Sequence, residues 1–436
     1  MKSVHPAVSP GVGTGAVDVA VVGAGLVGLT TAWELRRRGR SVALIDPDPG
    51  AGASRAAAGM LAPVSEFQYQ QESLYPLMSA SATEYAAFAT SVEQAAGASV
   101  GYRCTETLVC GVDSADRQAL ADLRQSQLRH GMAVEPLSLR TARSLEPALT
   151  PRLSAVFRIP TDHQIDPRRL VTGLLAAVVE RDVASALLAG DGDGGPVRLL
   201  REQARALQWD GQGAVTGVVL ADGQEVVADE TILALGMGTD GLGGLPDTCR
   251  LRLRPVHGDI LRARLPAGAP PLIERTVRGL VHGVPVYLVP RADGTIVIGA
   301  TSREDDLSGV SAGGVFRLLR DAQALVPGVA DLELAEVMSR ARPGTPDDAP
   351  YLGRIRAPGG ESVPGLVVST GYFRHGVLLA PLAARLAAQL VTGETGADPD
   401  LNAAHLTATD PHRFELSTSD RRTVAAYASA PENRSI

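Results

Sequence analysis

The sequence predicts an α/β fold, α+β overall, in which a domain with a parallel sheet is combined with a discontinuous antiparallel β-sheet domain. Two observations lead to this prediction. The chain opens on a strand, a helix and a second strand, in the order of a parallel βαβ unit. Its middle consists of short alternating segments separated by turn residues, which is typical of antiparallel sheets. A length of 436 residues suits about two to three domains.

Periodicity gives the positions of these elements. Residues 18–22 and 41–45 are short apolar runs that predict buried strands, and a helix up to Arg38 connects them. Further predictions are helices over 79–96, 114–130 and 376–391, short strands between 201 and 235, and a hairpin in which 284–290 and 295–300 flank Asp293-Gly294.

Composition limits the classes of partner. Hydrophobic residues make up 45% of the chain and charged residues 20%, as in a soluble globular protein with a sizeable core. The net charge of −7 argues against nucleic acid or an acidic membrane surface, because both require a basic footprint on the protein. No apolar run is long enough to span a membrane, so we expect no membrane partner.

The cysteine and histidine patterns favour a cytoplasmic protein without a metal site. Cys104, Cys110 and Cys249 form no CxxC pair and leave an odd count, which suits a reducing compartment better than a disulfide framework. The eight histidines show no HxH or HxxxH spacing, so no bound metal is expected. The N-terminal segment lacks the apolar run of a signal peptide.

A glycine-rich turn follows the first strand. The segment Gly23-Ala-Gly25-Leu-Val-Gly28 matches the pattern GxGxxG, and Asp46 follows the second strand. The first glycine permits a tight turn, the second lets the backbone approach a pyrophosphate, and the third lets the helix pack on the strand. Asp46 can accept hydrogen bonds from ribose hydroxyls. The sequence therefore predicts a Rossmann-like dinucleotide site, which by itself does not distinguish FAD from NAD.

Two other segments partly match this pattern. Gly11-Val-Gly13-Thr-Gly15-Ala16 has no strand before it. Gly236-Met-Gly238-Thr-Asp-Gly241 follows a predicted strand, but two glycines and a proline stand between 243 and 246, where a helix should begin. A second nucleotide site, as in a nicotinamide-dependent flavin reductase, is the alternative that this segment leaves open.

Six motifs follow one another between residues 52 and 381. They are Gly52-Ala-Ser54-Arg-Ala-Ala-Ala-Gly59-Met-Leu-Ala-Pro63, Gln164-Ile-Asp166-Pro-Arg-Arg-Leu170, Val286-Tyr287-Leu-Val-Pro-Arg291, Gly299-Ala-Thr301, Arg342-Pro-Gly-Thr-Pro-Asp347 and Gly371-Tyr-Phe-Arg374-His-Gly-Val-Leu-Leu-Ala-Pro381. With these motifs, the chain from Asp18 to about Pro381 resembles the D-amino-acid-oxidase-like FAD-dependent oxidoreductase superfamily, and within it the glycine oxidases of thiamine biosynthesis.

The resemblance implies noncovalent FAD in a domain built from separated segments, with an antiparallel substrate-binding sheet beside it. We expect the FAD-binding domain at 17–80, 156–247 and 342–410, the substrate-binding domain at 81–155 and 248–341, and flexible tails at 1–16 and 411–436. Small side chains at 54–60 suit close contact with a flat ring. The expected cofactor-binding residues are Gly23, Ala24, Gly25, Leu26, Val27, Gly28, Asp46, Ser54, Arg55, Ala58, Gly59, Met60, Gly236, Gly371, Arg374, His375, Gly376, Val377 and Leu378.

The resemblance also indicates which residues meet the substrate. An amino acid presents a carboxylate, which arginine binds through two parallel hydrogen bonds. The family's carboxylate-binding arginine stands in the motif of Arg342, at the predicted end of a strand, and Tyr287 is expected at the same carboxylate. Arg374 is expected to hold the pocket or the flavin, and His375 to be a wall residue rather than a base. From the residues alone, an exposed strand-end arginine and a core tyrosine remain alternatives.

The reaction implied by the resemblance is oxidative deamination of a small amino acid, first of all glycine, with O2 as the electron acceptor. Four residues depart from the glycine oxidase pattern: His257 replaces a lysine, Arg340 a common glycine, and Tyr372 and His375 the usual histidine and asparagine. These departures favour an alternative amine, which would be a D-amino acid, sarcosine or an intermediate of specialised metabolism. The alternative of another class is a non-catalytic, flavin-bound structural or redox-sensing protein. A homo-oligomer is expected by analogy with the family.

Overall fold

The computed structural model describes residues 16–179, 195–249 and 251–415. The strands are β1 (Val17–Val22), β2 (Val42–Ile45), β3 (Met60–Leu61), β4 (Thr107–Gly111), β5 (Glu135–Leu137), β6 (Ala155–Ile159), β7 (His163–Gln164), β8 (Val197–Leu200), β9 (Ala204–Trp209), β10 (Val215–Leu220), β11 (Glu225–Leu233), β12 (Arg254–Arg264), β13 (Thr276–Val281), β14 (Val284–Pro290), β15 (Thr295–Gly299), β16 (Glu333–Gly344), β17 (Tyr351–Arg356) and β18 (Ser362–Thr370). The α-helices are α1 (Leu26–Arg37), α2 (Ala53–Ala56), α3 (Leu74–Ala96), α4 (Ser114–Arg129), α5 (Leu139–Leu145), α6 (Pro167–Val178), α7 (Ala312–Leu325), α8 (Ala380–Thr392) and α9 (Pro399–Ala408), and Gly236–Gly241 and Pro327–Asp331 are 3-10 helices.

The first sheet is mostly parallel and has the order β17-β18-β11-β1-β2-β8. β18, β11, β1, β2 and β8 run parallel, β17 is an antiparallel edge strand, and β10 and β9 extend from β11. Helices α1, α3, α6 and α8 share one hydrophobic core on this sheet. Because parallel strands end at the same edge, the segments after β1, β2, β11 and β18 meet there, which is where such folds bind ligands.

The second sheet has the order β16-β12-β15-β14-β13-β4-β6-β5 and is antiparallel except between β13 and β4. Helix α7 and apolar residues of α5 pack on it in a separate core. A small cluster of Ala58, Ile260, Val289 and Val297 joins the loop before β3 to this sheet. The predicted α/β fold with an antiparallel second sheet is confirmed, as is the hairpin of β14 and β15 around Asp293-Gly294.

The structure corrects the start of two predicted helices. The helix expected from Gly376 begins at Ala380, after turns over residues 374–379. Pro381 explains the difference: a helix starting at Gly376 would bring the proline ring against the carbonyl of Val377, whereas proline is tolerated in a first turn. Helix α3 begins at Leu74 rather than at residue 79, since Pro76 also falls in a first turn and Leu74 is buried.

The strand carrying Arg342 is longer than predicted. It was expected to end at Arg342, but β16 continues through Pro343 and Gly344, which pair with Pro255 and Arg254 of β12. A proline is compatible with this position because β16 is at the edge of its sheet.

The domain boundaries stay a prediction, although the packing bears on three of them. Helix α3 lies in the core of the first sheet, and β6 belongs to the second sheet, which favours boundaries after α3 and after β6 rather than at residues 80 and 155. The tail expected from residue 411 is packed at its start, because His412 Nε2 accepts from the Arg356 amide at 2.8 Å and Phe414 contacts Tyr351. Residues 1–15 and 416–436 lie outside the described chain. Within the described ranges, no helix is long and apolar enough to cross a membrane.

Replacing Gly28 by alanine should destabilise the protein and lower its FAD content. An added Cβ at Gly28 would overlap the carbonyl oxygen of Gly23, and neither backbone can retreat without moving β1 from α1. Overpacking of this kind costs about 1–3 kcal/mol. Thermal unfolding and the ratio of flavin to protein absorbance measure the effect. Gly211→Ala is the matched control, since a Cβ there meets open space; equal stability of both variants would contradict the prediction.

Candidate active site

A cavity of about 520 Å³ lies between the carboxyl edge of the first sheet and the second sheet. The first sheet contributes the turns after β1, β2, β11 and β18, and the second sheet contributes Gly258, Tyr287 and residues 340–343. The loop at 50–60 closes one side. Residues of the first, third, fifth and sixth sequence motifs or of the dinucleotide turn make up most of this lining.

The dinucleotide turn has the geometry that the sequence predicts. Gly23 has a φ of +102°, and an added Cβ would overlap the carbonyl of Ala234, so only glycine fits there. Gly25 precedes α1, whose first amides open towards the cavity. Asp46 is fixed by two amides: its Oδ2 accepts from Ala24 at 2.7 Å and its Oδ1 from Asp48 at 2.8 Å. The turn, the helix end and the acid suit an adenosine diphosphate group.

The loop of small residues at 53–60 is held from both sides. Ser54 Oγ accepts from the Leu26 amide at 3.0 Å, which ties the loop to the start of α1. Arg291 is buried and donates from Nη1 to the Ile165 carbonyl at 2.8 Å and from Nη2 to the Ala58 carbonyl. Burial lowers the pKa of Arg291 to about 10, so the guanidinium stays charged at neutral pH. The loop is therefore a rigid, flat wall of the cavity.

The turn after Arg374 presents backbone amides to the cavity. In the described chain, the amides of Gly376, Val377 and Leu378 donate to no acceptor, whereas the carbonyls of Val377 and Leu378 accept from Tyr85 at 3.0 Å and Ser81 at 2.6 Å. These amides offer partial positive charge to the cavity, although the helix itself begins only at Ala380.

The second sheet positions Arg342 and Tyr287 at the other end of the cavity. The Arg342 guanidinium lies over Gly258, where any Cβ would overlap it, and donates to the Thr301 carbonyl at 3.3 Å. The Tyr287 hydroxyl similarly lies over Gly299. Burial raises the pKa of Tyr287 while Arg342 lowers it, and burial also lowers the pKa of Arg342. A neutral phenol and a cation thus adjoin each other, and such a pair can bind a carboxylate.

A buried carboxylate lies beside this pair. Glu66 forms ion pairs with Arg278 and, at 3.4 Å, with Arg374. Burial, followed by the repulsion of Arg374, lowers the pKa of Arg278 to about 10. Arg374 also donates to Gln71 Oε1 at 3.0 Å. Two guanidinium groups share one carboxylate here, so this end of the cavity keeps a positive charge.

The structure brings most of the predicted site residues together. Of the predicted cofactor-binding residues, three do not line the cavity: Ala24, which acts through its amide on Asp46, Gly28, which packs against Gly23, and Arg55, which is exposed. Among the departures, Arg340, Tyr372 and His375 line it and His257 does not. Tyr372 is buried and its hydroxyl bonds to Ser369 at 2.9 Å, so it belongs to the wall.

Sequence analysis missed Glu66, Gly258 and Thr370 as lining residues. Glu66 closely follows the small-residue motif, but its role depends on Arg278, which is remote in the chain. Gly258 follows His257 in the chain, and the position of the Arg342 guanidinium over it comes from the pairing of β12 with β16. Thr370 donates to the Gly236 carbonyl at 3.1 Å, which joins the ends of β18 and β11.

The segment at 236–241 belongs to the same cavity and forms no second dinucleotide site. It is a 3-10 helix, and no α-helix follows it before β12 in the part of the chain that the structure describes. In those same residues, no group of three or more His, Cys, Asp or Glu side chains could hold a metal ion. None of the three cysteines lines the cavity, so no thiol is available there to attach a flavin.

The fold and the site define a dinucleotide-binding protein whose cleft is covered by an antiparallel sheet. The chain belongs to the FAD dependent oxidoreductase family DAO, which matches residues 18–390. The family resemblance predicted from the six motifs is therefore confirmed, and the protein is an FAD-binding oxidoreductase. FAD fits the residues present, because the dinucleotide turn, the unpaired amides at 376–378 and the buried, unpartnered Nε2 of His375 all face the same cavity.

The similar curated proteins include bifunctional ThiO/ThiG proteins and glycine oxidases. The chain is 31% identical over 398 residues to the bifunctional protein ThiO/ThiG of Nostoc sp., covering 89% of this chain and 54% of that protein. It thus spans about half the length of the first curated relatives that it matches. It is 31% identical over 379 residues to the glycine oxidase of Geobacillus kaustophilus, covering 86% of this chain and 92% of that one.

Solved structures agree with these relatives. The crystal structure of the Geobacillus kaustophilus glycine oxidase matches 88% of this chain and 96% of its own, with a TM-score of 0.74 at 31% identity. Iminodiacetate oxidase from Chelativorans sp. BNC1 matches 87% of this chain and 97% of its own, with a TM-score of 0.72 at 25% identity.

His375 should make the protein less stable in mild acid. Burial, followed by the charges of Arg374 and Arg278, lowers the pKa of His375 to about 3. The unfolded chain, with an ordinary pKa near 6.5, takes up this proton first, so stability is present above that pH and is lost as the pH falls towards 3. From pH 7 to pH 5 the loss from His375 is about 2 kcal/mol.

His375→Asn should remove this part of the pH dependence. The measurement is the free energy of unfolding in urea at pH 7 and pH 5 for the holoenzyme. The control is His282→Asn, which changes an exposed histidine. The same acid destabilisation in wild type and His375→Asn would contradict the assignment.

Proposed function

We propose that the protein is an FAD-dependent oxidase of a small amino acid, with glycine as the leading substrate, of the type that serves thiamine biosynthesis. In the overall reaction, glycine, water and O2 give glyoxylate, ammonia and H2O2. The observation that carries the proposal is the pair of Arg342 and Tyr287 in the same cavity as the dinucleotide turn. The relatives named glycine oxidase support it.

The residues act by binding and orientation. The dinucleotide turn and the amides at 376–378 would hold FAD, which would supply the hydride-accepting and O2-reducing chemistry. Arg342 and Tyr287 fix the carboxylate, which orients the carbon and its amine. Among the described residues that line the cavity, no strong base is available: Glu66 is paired with two arginines, and burial among cations makes the imidazole of His375 a weak base by lowering its pKa. The amine must therefore be deprotonated before hydride leaves, and water then hydrolyses the released imine.

An amine with a second carboxylate is the second candidate. Arg278 and Arg374 both form ion pairs with Glu66, and this cluster is a second positively charged region near the cavity once Arg342 has bound one carboxylate. The similarity to an iminodiacetate oxidase agrees with this charge. The departures at Tyr372, His375, His257 and Arg340 favour D-amino acids and sarcosine, which should be compared with glycine as substrates in the same way.

We also propose that the protein is a cytoplasmic homo-oligomer, on the evidence of its free cysteines and by analogy with the family.

Glycine should bleach the flavin of the purified protein when oxygen is excluded. Under air, glyoxylate, ammonia and peroxide should form in equal amounts. Stopped-flow absorbance of the flavin measures the first step, with iminodiacetate, sarcosine and single D-amino acids as comparison substrates. Bleaching by iminodiacetate but not by glycine would replace glycine with the dicarboxylic amine, and no bleaching by any of these amines would contradict the proposed class.

Arg342→Ala should lower kcat/KM for the amino acid by roughly thirtyfold to a few thousandfold, because losing one partner of a buried charge pair costs about 2–5 kcal/mol. Since a displaced carboxylate also misplaces the reacting carbon, kcat should fall as well. Arg342→Lys should recover only part, because a point charge cannot form the two-bond fork.

FAD content separates this role from a structural one. It should stay at the wild-type level in both Arg342 variants, and Arg317→Ala, an exposed change on α7, is the control. Unchanged turnover in a fully loaded Arg342→Ala enzyme would refute the carboxylate role. Loss of FAD would instead identify Arg342 as a structural residue.

A further inference from the structure

Arg340 is the residue of the cavity for which neither the motifs nor the reaction supplies a role. It lies on β16 two residues before Arg342, so both side chains leave the same face of the strand. Its Nε donates to the Ala51 carbonyl at 3.2 Å and its Nη1 to the Ser339 carbonyl at 2.9 Å. The side chain therefore crosses from the second sheet to the loop that follows Asp46.

That loop adjoins the dinucleotide turn. The Gly50 amide donates to the Ala24 carbonyl at 2.9 Å, so residues 50–52 lie directly beside the GxGxxG segment. Gly50 and Gly52 line the cavity with Gly23 and Gly25. The contact with Ala51 thus places the Arg340 guanidinium at the dinucleotide end, whereas Arg342 lies at the end with Tyr287.

At the dinucleotide end of the cavity, a pyrophosphate needs more positive charge than the helix N-terminus supplies. Of the described residues, the charged ones that line the cavity are Asp46, Glu66, Arg340, Arg342 and Arg374. Glu66, Arg342 and Arg374 belong to the substrate end, which leaves Asp46 and Arg340 near the turn. A pyrophosphate diester carries two negative charges, and a helix N-terminus supplies only about half a positive charge. Without Arg340, the dinucleotide end would contain an acid and no cationic side chain.

We propose that Arg340 binds the pyrophosphate of FAD and so closes the dinucleotide cleft from the side of the second sheet. Arg340 Nη2 donates no hydrogen bond to any residue that the structure describes, so its two hydrogens are free for phosphate oxygens. The two arginines of β16 then bind different groups: Arg342 binds the substrate carboxylate, and Arg340 binds the cofactor. This role does not depend on which amine is oxidised.

The test is the affinity of the apoprotein for FAD, measured by quenching of flavin fluorescence. Arg340→Met keeps the length of the side chain and removes the charge. It should raise the Kd for FAD about tenfold to a hundredfold, the usual effect of losing a hydrogen bond to a charged group. Arg340→Lys should recover part of the affinity, and the affinity of the wild type should fall more steeply with salt than that of Arg340→Met.

Three comparisons make the result specific. Riboflavin, which lacks the pyrophosphate, should bind wild type and Arg340→Met equally. Arg264→Met, an exposed arginine on β12, should leave the Kd for FAD unchanged. Arg340→Gly, with the residue common at this position in the family, provides a second variant if Arg340→Met fails to fold. Circular dichroism of each apoprotein checks the fold.

Two outcomes would overturn the proposal. The first is an unchanged Kd for FAD in Arg340→Met or Arg340→Gly, which would exclude a pyrophosphate contact. If the preference between glycine and iminodiacetate also shifted in that variant, Arg340 would be assigned to the substrate instead. The second is an equal loss of affinity for FAD and for riboflavin in the same variants, which would show a general effect on the cavity rather than a pyrophosphate contact. Flavin bleaching by glycine in wild type is independent of all these results.

Discussion

The contact between Gly28 and the carbonyl of Gly23 is the constraint on which the rest of the structure depends. It brings β1 and α1 so close that their backbones touch with no side chain between them. At this distance the amides at the start of α1 reach the cavity, and the turn at Gly23 fits against Ala234 at the end of β11. The carboxyl ends of the parallel strands β1, β2, β11 and β18 then converge on one space, which is the space that a dinucleotide needs.

The second sheet completes the site from the opposite side through side chains rather than amides. The long pairing of β12 with β16 presents Gly258 opposite Arg340, and the Arg342 guanidinium lies over that glycine. Tyr287 on β14 reaches the same space across the sheet. Arg291 links the two halves, since it starts beside β14 and ends on carbonyls of the small-residue loop and of Ile165. The first sheet thus lines the cavity largely with backbone groups, whereas the second sheet lines it with the side chains of Tyr287, Arg340 and Arg342.

Local patterns in the sequence were sufficient to predict the elements whose conformation depends on neighbouring residues in the chain. Gly23, Gly25, Gly28 and Asp46 are fixed by a turn and the strands on either side, and the structure has them as the pattern predicts. The predicted start of α8 at Gly376 was wrong. The prediction followed the helical periodicity and did not take into account that Pro381 has to lie in the first turn of the helix.

The remainder depends on tertiary pairing that no local pattern contains. The ion pairs of Glu66 join segments that are far apart in the chain. The direction of Arg340 could not be predicted either, since a strand residue two positions from Arg342 is compatible with both ends of the cavity. Only the contact with Ala51 distinguishes these ends.

Helix α3 has a further consequence through its two hydrogen bonds to the turn at 377–378. Ser81 and Tyr85 are fully buried, and they hold the carbonyls of this turn so that its amides face the cavity. The reduction potential of a flavin depends on the dipoles near its ring. The electron affinity of a bound flavin would therefore be adjustable from the core of the first sheet, by residues that do not line the cavity. A substitution at either side chain would change the packing of a long helix and the position of these amides at the same time.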